Sequence, residues 1–171
     1  MEPLVLAALL AQCAPLVHPH TAAALIATES TANPNAIGVV GGQLLRQPRN
    51  RSEALATAAA LEASGWDYSA GLAQINRRNF AHLGLTVDEA FEPCTNLAAM
   101  QTLLLDCYRR AGRTSLEDRS PTAGPAATAN AQASVRRALS CYYSGNFVTG
   151  VRHGYVARVV RSSMTLAARP P

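Results

Sequence analysis

The chain contains no lysine: all fifteen of its basic residues are arginines, set against eleven acids for a formal charge of +4. The arginines are scattered in pairs (Arg77-Arg78, Arg109-Arg110, Arg136-Arg137) and build no dense basic block. Such a balance suits an anionic polymer or surface without selecting nucleic acid. Aromatic residues are only 5% of the 171 positions, too few for the stacking platform of a single-strand binder, so no nucleic-acid partner is expected. Charged residues are also scarce at 15% while 49% are apolar. That composition argues against disorder and fits one compact domain over residues 1–171.

Long hydrophobic runs are missing too. Residues 3–28 hold no Asp, Glu, Lys or Arg, yet Gln12, His18, His20 and the prolines Pro3, Pro15 and Pro19 interrupt them. The clean run from Leu4 to Ala11 falls far short of the about 20 apolar residues a spanning helix needs, so no membrane span is read. Glu2 stands where a secretory leader would carry positive charge, and no export signal is read either.

No CxxC pair, HExxH segment, phosphate loop or Ser/His/Asp order is present, so neither a metal nor a cofactor is expected. His18 and His20 would face different ways on a helix, while His82 and His153 are isolated and read as surface or satisfied core histidines. The four cysteines, Cys13, Cys94, Cys107 and Cys141, are an even set without zinc-site spacing. Two disulfides are the leading expectation, with three connectivities open, which would place the protein in an oxidising compartment such as the periplasm. The alternative is four small buried thiols in a reduced protein.

Helical patterns dominate the chain. Leu4 to Gln12 reads as a first helix, His20 to Ser30 as a second with Pro19 in its opening turn, and Glu53 to Ser64 as an Ala-rich helix ended by Gly65. Further helical patterns run over Ser69 to Leu83, Leu97 to Ala111, Ala131 to Tyr143 and Gly154 to Ala168. Asn33 to Asn50 is rich in Gly, Asn and Pro, and Val39 to Gly42 is its best candidate for a short β-ribbon. Residues 114–130 read as a flexible surface loop and residues 167–171 as a C-terminal tail. Asp88, Glu89 and Glu92, ahead of Cys94, read as a helix first turn.

Glu29 is the one charged side chain between Glu2 and Arg46. At 3.6 residues per turn it shares a face with Ala22, Leu25 and Ile26, the side the helix buries. A buried carboxyl lacking a cationic neighbour has its charged form disfavoured and stays protonated toward neutral pH, as a general acid requires. For this helix alone the alternative is a solvated carboxylate, or one capping the Asn33 or Asn35 amides.

Five short segments add weight to the first reading. Glu29-Ser30 precedes Asn33-Pro34-Asn35-Ala36-Ile37-Gly38; then come Ser69-Ala70-Gly71-Leu72-Ala73-Gln74-Ile75-Asn76, Ala138-Leu139-Ser140-Cys141-Tyr142-Tyr143-Ser144-Gly145-Asn146, and Gly154-Tyr155-Val156. In this order they resemble the soluble lytic transglycosylases, above all the specialised members that accompany type IV secretion and conjugation systems. The similar region extends from about Cys13 to about Val160.

The resemblance implies a lysozyme-like (goose-type) α+β fold, mainly α. It also implies cleavage of the β-1,4 bond between N-acetylmuramic acid and N-acetylglucosamine in peptidoglycan glycan strands. Glu29 matches the family glutamate that protonates the glycosidic oxygen and then, as base, takes the proton of the C6 hydroxyl so that a 1,6-anhydro ring closes. Ordinary glycosidases use two carboxylates. No convincing second one is found here, and Asp67 reads as a loop or helix-start residue. The substrate's own N-acetyl group fills that role in the family mechanism.

By the same resemblance Ser30, Ser69, Gly71, Gln74, Asn76, Tyr142 and Asn146 are candidate substrate-binding positions. Ser30 would set the carboxylate geometry, Gly71 would permit close backbone approach, Gln74 would bind a substrate amide or hydroxyl, and Tyr142 would lie near the acid. Two positions depart from the common pattern: Tyr143 where Asn is usual, so that the amide contact either comes from elsewhere, with Asn146 the candidate, or is lost, and Ala73 where Met is usual. The expected partners are peptidoglycan and secretion-apparatus proteins. The alternative role is a non-catalytic wall-binding scaffold of that apparatus.

Overall fold

A computed structural model describes residues 1–113 and 125–168. Helices α1 (Pro3–Cys13) and α2 (Pro19–Ser30) lead into strand β1 (Ile37–Val39), helix α3 (Arg51–Ala63), and strands β2 (Tyr68–Ala70) and β3 (Ile75–Asn76). The short helices α4 (Phe80–Leu83) and α5 (Val87–Ala90) precede the two longest, α6 (Pro93–Arg113) and α7 (Pro125–Ser144), and the described chain closes with α8 (Thr149–Arg152) and α9 (Tyr155–Ala167). The result is a mainly helical α+β fold. Helices α1, α2, α6 and α7 each open on a proline, whose fixed φ suits the first turn and whose missing N–H would have no intrahelical partner there. Helix α3 is capped by Asn50, which accepts from the Glu53 amide at 2.9 Å. Thr86 and Glu89 cap α5 reciprocally, with Asp88 and Glu89 in its first turn.

The strands form one antiparallel ribbon in the order β1-β2-β3, pairing Gly38 with Ser69 and Ser69 with Asn76. Leu25, Ile26, Ile37, Tyr68, Leu72, Ile75, Leu97, Met100 and Tyr155 join the two sides of the molecule in one core. The cysteines form two disulfides, Cys13–Cys94 and Cys107–Cys141, tying α1 to α6 and α6 to α7. Among the described residues no helix is long and apolar enough to cross a membrane.

Several expected boundaries move. The ribbon's first strand is Ile37–Val39, and Val40 to Gly42 form the turn beyond it. Residues 125–130 are not loop but the start of α7, an Ala-rich stretch of high helix propensity. The remainder of the expected loop, 114–124, and residues 169–171 of the tail lie outside the described residues.

Ser69 to Leu83 is not a helix. It supplies β2, a tight turn, β3 and two short helical turns, because Gly71 and Gln74 adopt φ of 79° and 50°. Their left-handed backbone is incompatible with a continuing helix. The turn is held from outside. Asn96, fully buried on α6, accepts from the Ala73 amide at 2.8 Å and donates to the Ala70 and Ala90 carbonyls at 3.0 and 2.7 Å. Gln74 donates its side-chain amide to the Ala36 and Gly71 carbonyls at 3.0 and 2.9 Å.

Candidate active site

Helix α2 stops immediately after Glu29-Ser30. Thr31 and Ala32 both take left-handed backbone, φ 54° and 60°, a conformation that non-glycine residues adopt at a cost and that ends the helix sharply. Ala22, Leu25 and Ile26 are completely buried on its inner face, as the spacing predicts. Glu29, one turn further, is carried on that face to the edge of a cleft of about 770 Å³ between the ribbon and the helices.

Among the described residues one hydrogen bond holds the carboxyl. Tyr155, at the start of α9 and 2% exposed, donates its hydroxyl to Glu29 Oε1 at 2.5 Å. Burial pushes the Glu29 carboxyl up to about 7, against the downward pull of that bond and of the Arg158 charge. Burial and the neighbouring Glu29 charge in turn push the Tyr155 hydroxyl upward, so it remains a donor. Tyr142 is also pushed well above the ordinary tyrosine range, by burial and then by the Glu29 charge. Its hydroxyl donates to the Ala73 carbonyl at 2.7 Å, bridging α7 to the turn between β2 and β3.

Of the residues singled out in the sequence, Glu29, Ser69, Gln74, Asn76 and Tyr142 line this one cleft, and Ser30, Gly71 and Asn146 do not. The Ser30 hydroxyl is turned back on the Ile26 carbonyl at 3.4 Å. The close approach at Gly71 is to the protein itself: a Cβ there would lie 2.4 Å from Asn96 Nδ2 and 2.6 Å from the Ala90 carbonyl. Asn146 Oδ1 accepts from the Val148 and Thr149 amides at 3.0 and 2.8 Å, fixing the entry to α8. Asn76 lines the cleft and also caps the turn after β3 by accepting from the Arg78 amide.

Two further carboxylates stand on the cleft wall. Asp67 pairs with Arg78 at 2.8 Å and Asp106 with Arg110 at 2.9 Å. The Cys107–Cys141 disulfide lies on the same wall, directly ahead of Tyr142. Among the described residues no group of three or more His, Cys, Asp or Glu side chains comes together to hold a metal ion.

Sequence reasoning missed Tyr155, Arg158 and Asn96 as parts of this site. Tyr155 lay within a quoted segment, but its partner Glu29 is 126 residues away. Asn96 offers one signal, a lone amide ahead of the apolar Leu97 to Met100 stretch.

Comparison with known proteins accords with this geometry. Residues 8–148 match the family model described as Transglycosylase SLT domain. The chain is 46% identical over 157 residues to the type IV secretion system protein virB1 of Brucella abortus, an alignment covering 89% of this chain and 61% of that protein. It is 36% identical over 161 residues to protein virB1 of Agrobacterium fabrum, covering 94% and 59% respectively. Against protein virB1 of Rhizobium radiobacter the identity is 33% over 156 residues, covering 91% and 59%. The chain therefore spans about three-fifths of the length of these curated relatives. No solved structure matches it.

Proposed function

The chain belongs to the transglycosylase SLT domain family, whose fold is lysozyme-like, and from that premise we propose that it is a peptidoglycan lytic transglycosylase. It works in the periplasm as a single lysozyme-like domain, cleaving the β-1,4 bond from N-acetylmuramic acid to N-acetylglucosamine. The cut opens the wall locally for a type IV secretion system. The designation of the Brucella abortus relative as a type IV secretion system protein supports that setting.

The observation that carries the reading is the state of Glu29: a half-buried carboxyl, pushed up to about 7 and held by a single tyrosine, while Asp67 and Asp106 in the same cleft are ion-paired. A carboxyl of that kind is protonated at the start of the reaction and a competent base once it has lost its proton. It gives its proton to the glycosidic oxygen as the bond from C1 breaks, and the N-acetyl carbonyl of the substrate stabilises the charge left on C1. The C6 hydroxyl oxygen then bonds to C1, and its proton returns to Glu29. The products are a new chain end on N-acetylglucosamine and a 1,6-anhydromuramic end, with no water consumed. In this reading Ser69, Gln74, Asn76 and Tyr142, all of which line the cleft, hold the glycan.

Digestion of purified sacculi tests this. Mass analysis of the products should find 1,6-anhydromuropeptides, and Glu29→Gln should lower their rate of release by about 10²–10⁴-fold, the usual value of a positioned acid and base. Equal and negligible release by both proteins, with both sedimenting with the sacculi, would establish the scaffold role instead. Reducing muramic ends would identify a hydrolase.

A further inference from the structure

We infer that Tyr143 is a glycan-contacting residue, its ring forming an aromatic platform on the cleft wall beside Glu29 for the apolar face of a sugar ring. This deepens the proposed function, on which it rests. The ring of Tyr143 stacks on that of Tyr155, with centroids 4.6 Å apart and planes at 18°. Tyr155 is the residue that holds the Glu29 carboxyl. The platform is thus one ring removed from the acid. His153 meets Tyr143 in a T-shaped contact at 6.1 Å, and its Nδ1 lies 3.5 Å from the Tyr143 hydroxyl.

With one face covered by Tyr155, Tyr143 remains 42% exposed and lines the cleft. The open face is what the wall offers a ligand. A pyranose ring carries its C–H bonds on one side, and those bonds meet the negative face of an aromatic ring favourably while both surfaces leave water. The rest of the wall mixes Ser69, Gln74, Asn76 and ion pairs with the aliphatic Val39, Val40, Ile75 and Leu103, and offers no other aromatic face but that of Tyr142, whose hydroxyl is committed to the Ala73 carbonyl. Sites of that composition commonly join a few polar groups that fix orientation to aromatic surface that supplies affinity. Asn146 does not take over the amide contact, since its side-chain oxygen is committed to the Val148 and Thr149 amides. At this position the chain therefore exchanges a hydrogen-bonding contact for a stacking one.

Two measurements test the platform. In the Glu29→Gln protein, titration with a β-1,4-linked N-acetylglucosamine tetramer should shift the Tyr143 ring resonances in NMR spectra. Adding Tyr143→Ala should weaken the tetramer's affinity about tenfold, and Tyr143→Phe should leave it within about twofold, since the ring and not the hydroxyl does the stacking. In the otherwise unaltered protein, Tyr143→Ala should raise KM for glycan strands by a similar factor, with kcat and its pH profile little changed. If instead kcat falls and the pH profile moves while KM and tetramer affinity stay put, Tyr143 merely props Tyr155 and the platform is refuted. Unmoved ring resonances would refute it as well, and need no variant at Tyr143. Tyr143-dependent tetramer binding by a protein that releases no anhydro products would keep the platform and remove the chemistry. Anhydro products from a protein whose KM and tetramer affinity ignore Tyr143→Ala would do the reverse.

Discussion

Asn96 on α6 and Glu29 on α2 are both polar side chains set into largely apolar helix faces, and both belong to the framework of the cleft. Asn96 has both amide hydrogens and its oxygen engaged, on the Ala70, Ala90 and Ala73 backbone. Among the described residues Glu29 receives one bond, from Tyr155, and burial works against its charge more strongly than that bond and Arg158 favour it. Around Asn96 the ribbon wall of the cleft is therefore built for satisfaction, and around Glu29 the helical wall is built for readiness. A buried polar group with all its partners specifies structure, and one left with too few is held ready for a reaction.

The largest expected effect comes from breaking the satisfied side. Asn96→Leu keeps the approximate volume but strands the Ala73 N–H and two carbonyls away from water. Each orphaned group costs about 1–3 kcal/mol, and the losses overlap, so a total of about 3–5 kcal/mol is expected. Differential scanning calorimetry should record a melting temperature lower by about 10 °C. A drop of under about 3 °C would mean that the turn between β2 and β3 stands without the amide. Gly71→Ala attacks the same contact from the other side, because its Cβ would fall on Asn96 and on the Ala90 carbonyl.

The two walls were also unequally legible in the sequence. The helical wall follows from local rules: Pro19 starts α2, the spacing of Ala22, Leu25 and Ile26 gives its buried face, and Glu29 is the only charge on it. The ribbon wall does not. Leu72, Ile75 and Phe80 have spacings that suit a helix, and nothing within Ser69 to Leu83 reveals that Asn96 and Gln74 will pin Gly71 and Gln74 in left-handed backbone. Here tertiary hydrogen bonds override local periodicity. The even cysteine count pointed to two disulfides, but their pairing, across 81 and 34 residues, depends on how α1, α6 and α7 meet. The same distance hid Tyr155 as the partner of Glu29.

A smaller effect, of opposite sign, is expected from the ready side. Because the Glu29 carboxyl rises from 4.5 to about 7 on folding, the folded state holds the proton more tightly than the unfolded chain. The contribution of Glu29 to stability is then fullest below about pH 4.5, declines as pH rises toward 7, and is flat beyond. Glu29→Gln has no charge to bury, so it should match wild type at pH 4 and exceed it at pH 8 by on the order of 2–3 kcal/mol. Thermal melts at the two pH values measure the difference. Glu53 is the control of opposite sense: bonds from Arg46 and Arg49 lower its carboxyl to about 2. Its contribution is present above 4.5 and lost as pH falls toward that value, so Glu53→Gln should never stabilise. Equal melting of wild type and Glu29→Gln at pH 8 would mean that the carboxyl ionises freely and that the contrast with Asn96 is empty.

The smallest effect sharpens the comparison by giving Glu29 even less than it has. Tyr155→Phe removes the single donor to the carboxyl while keeping the ring on which Tyr143 stacks and over which Arg158 lies, 5.7 Å from its centroid. The bond pulls the carboxyl downward, so its loss sends the ionisation higher still, against the remaining attraction of Arg158. The protonated form acts first, so kcat/KM falls as pH rises through the Glu29 ionisation, and in Tyr155→Phe that descending limb should move to higher pH. Below pH 7 the acid is protonated in both proteins, and turnover should drop only about three- to tenfold, the value of one hydrogen bond that orients the carboxyl. A limb that moves to lower pH would reverse the assignment of Tyr155 as a stabiliser of the carboxylate. A limb that does not move, with turnover intact, would leave burial alone in control of the acid.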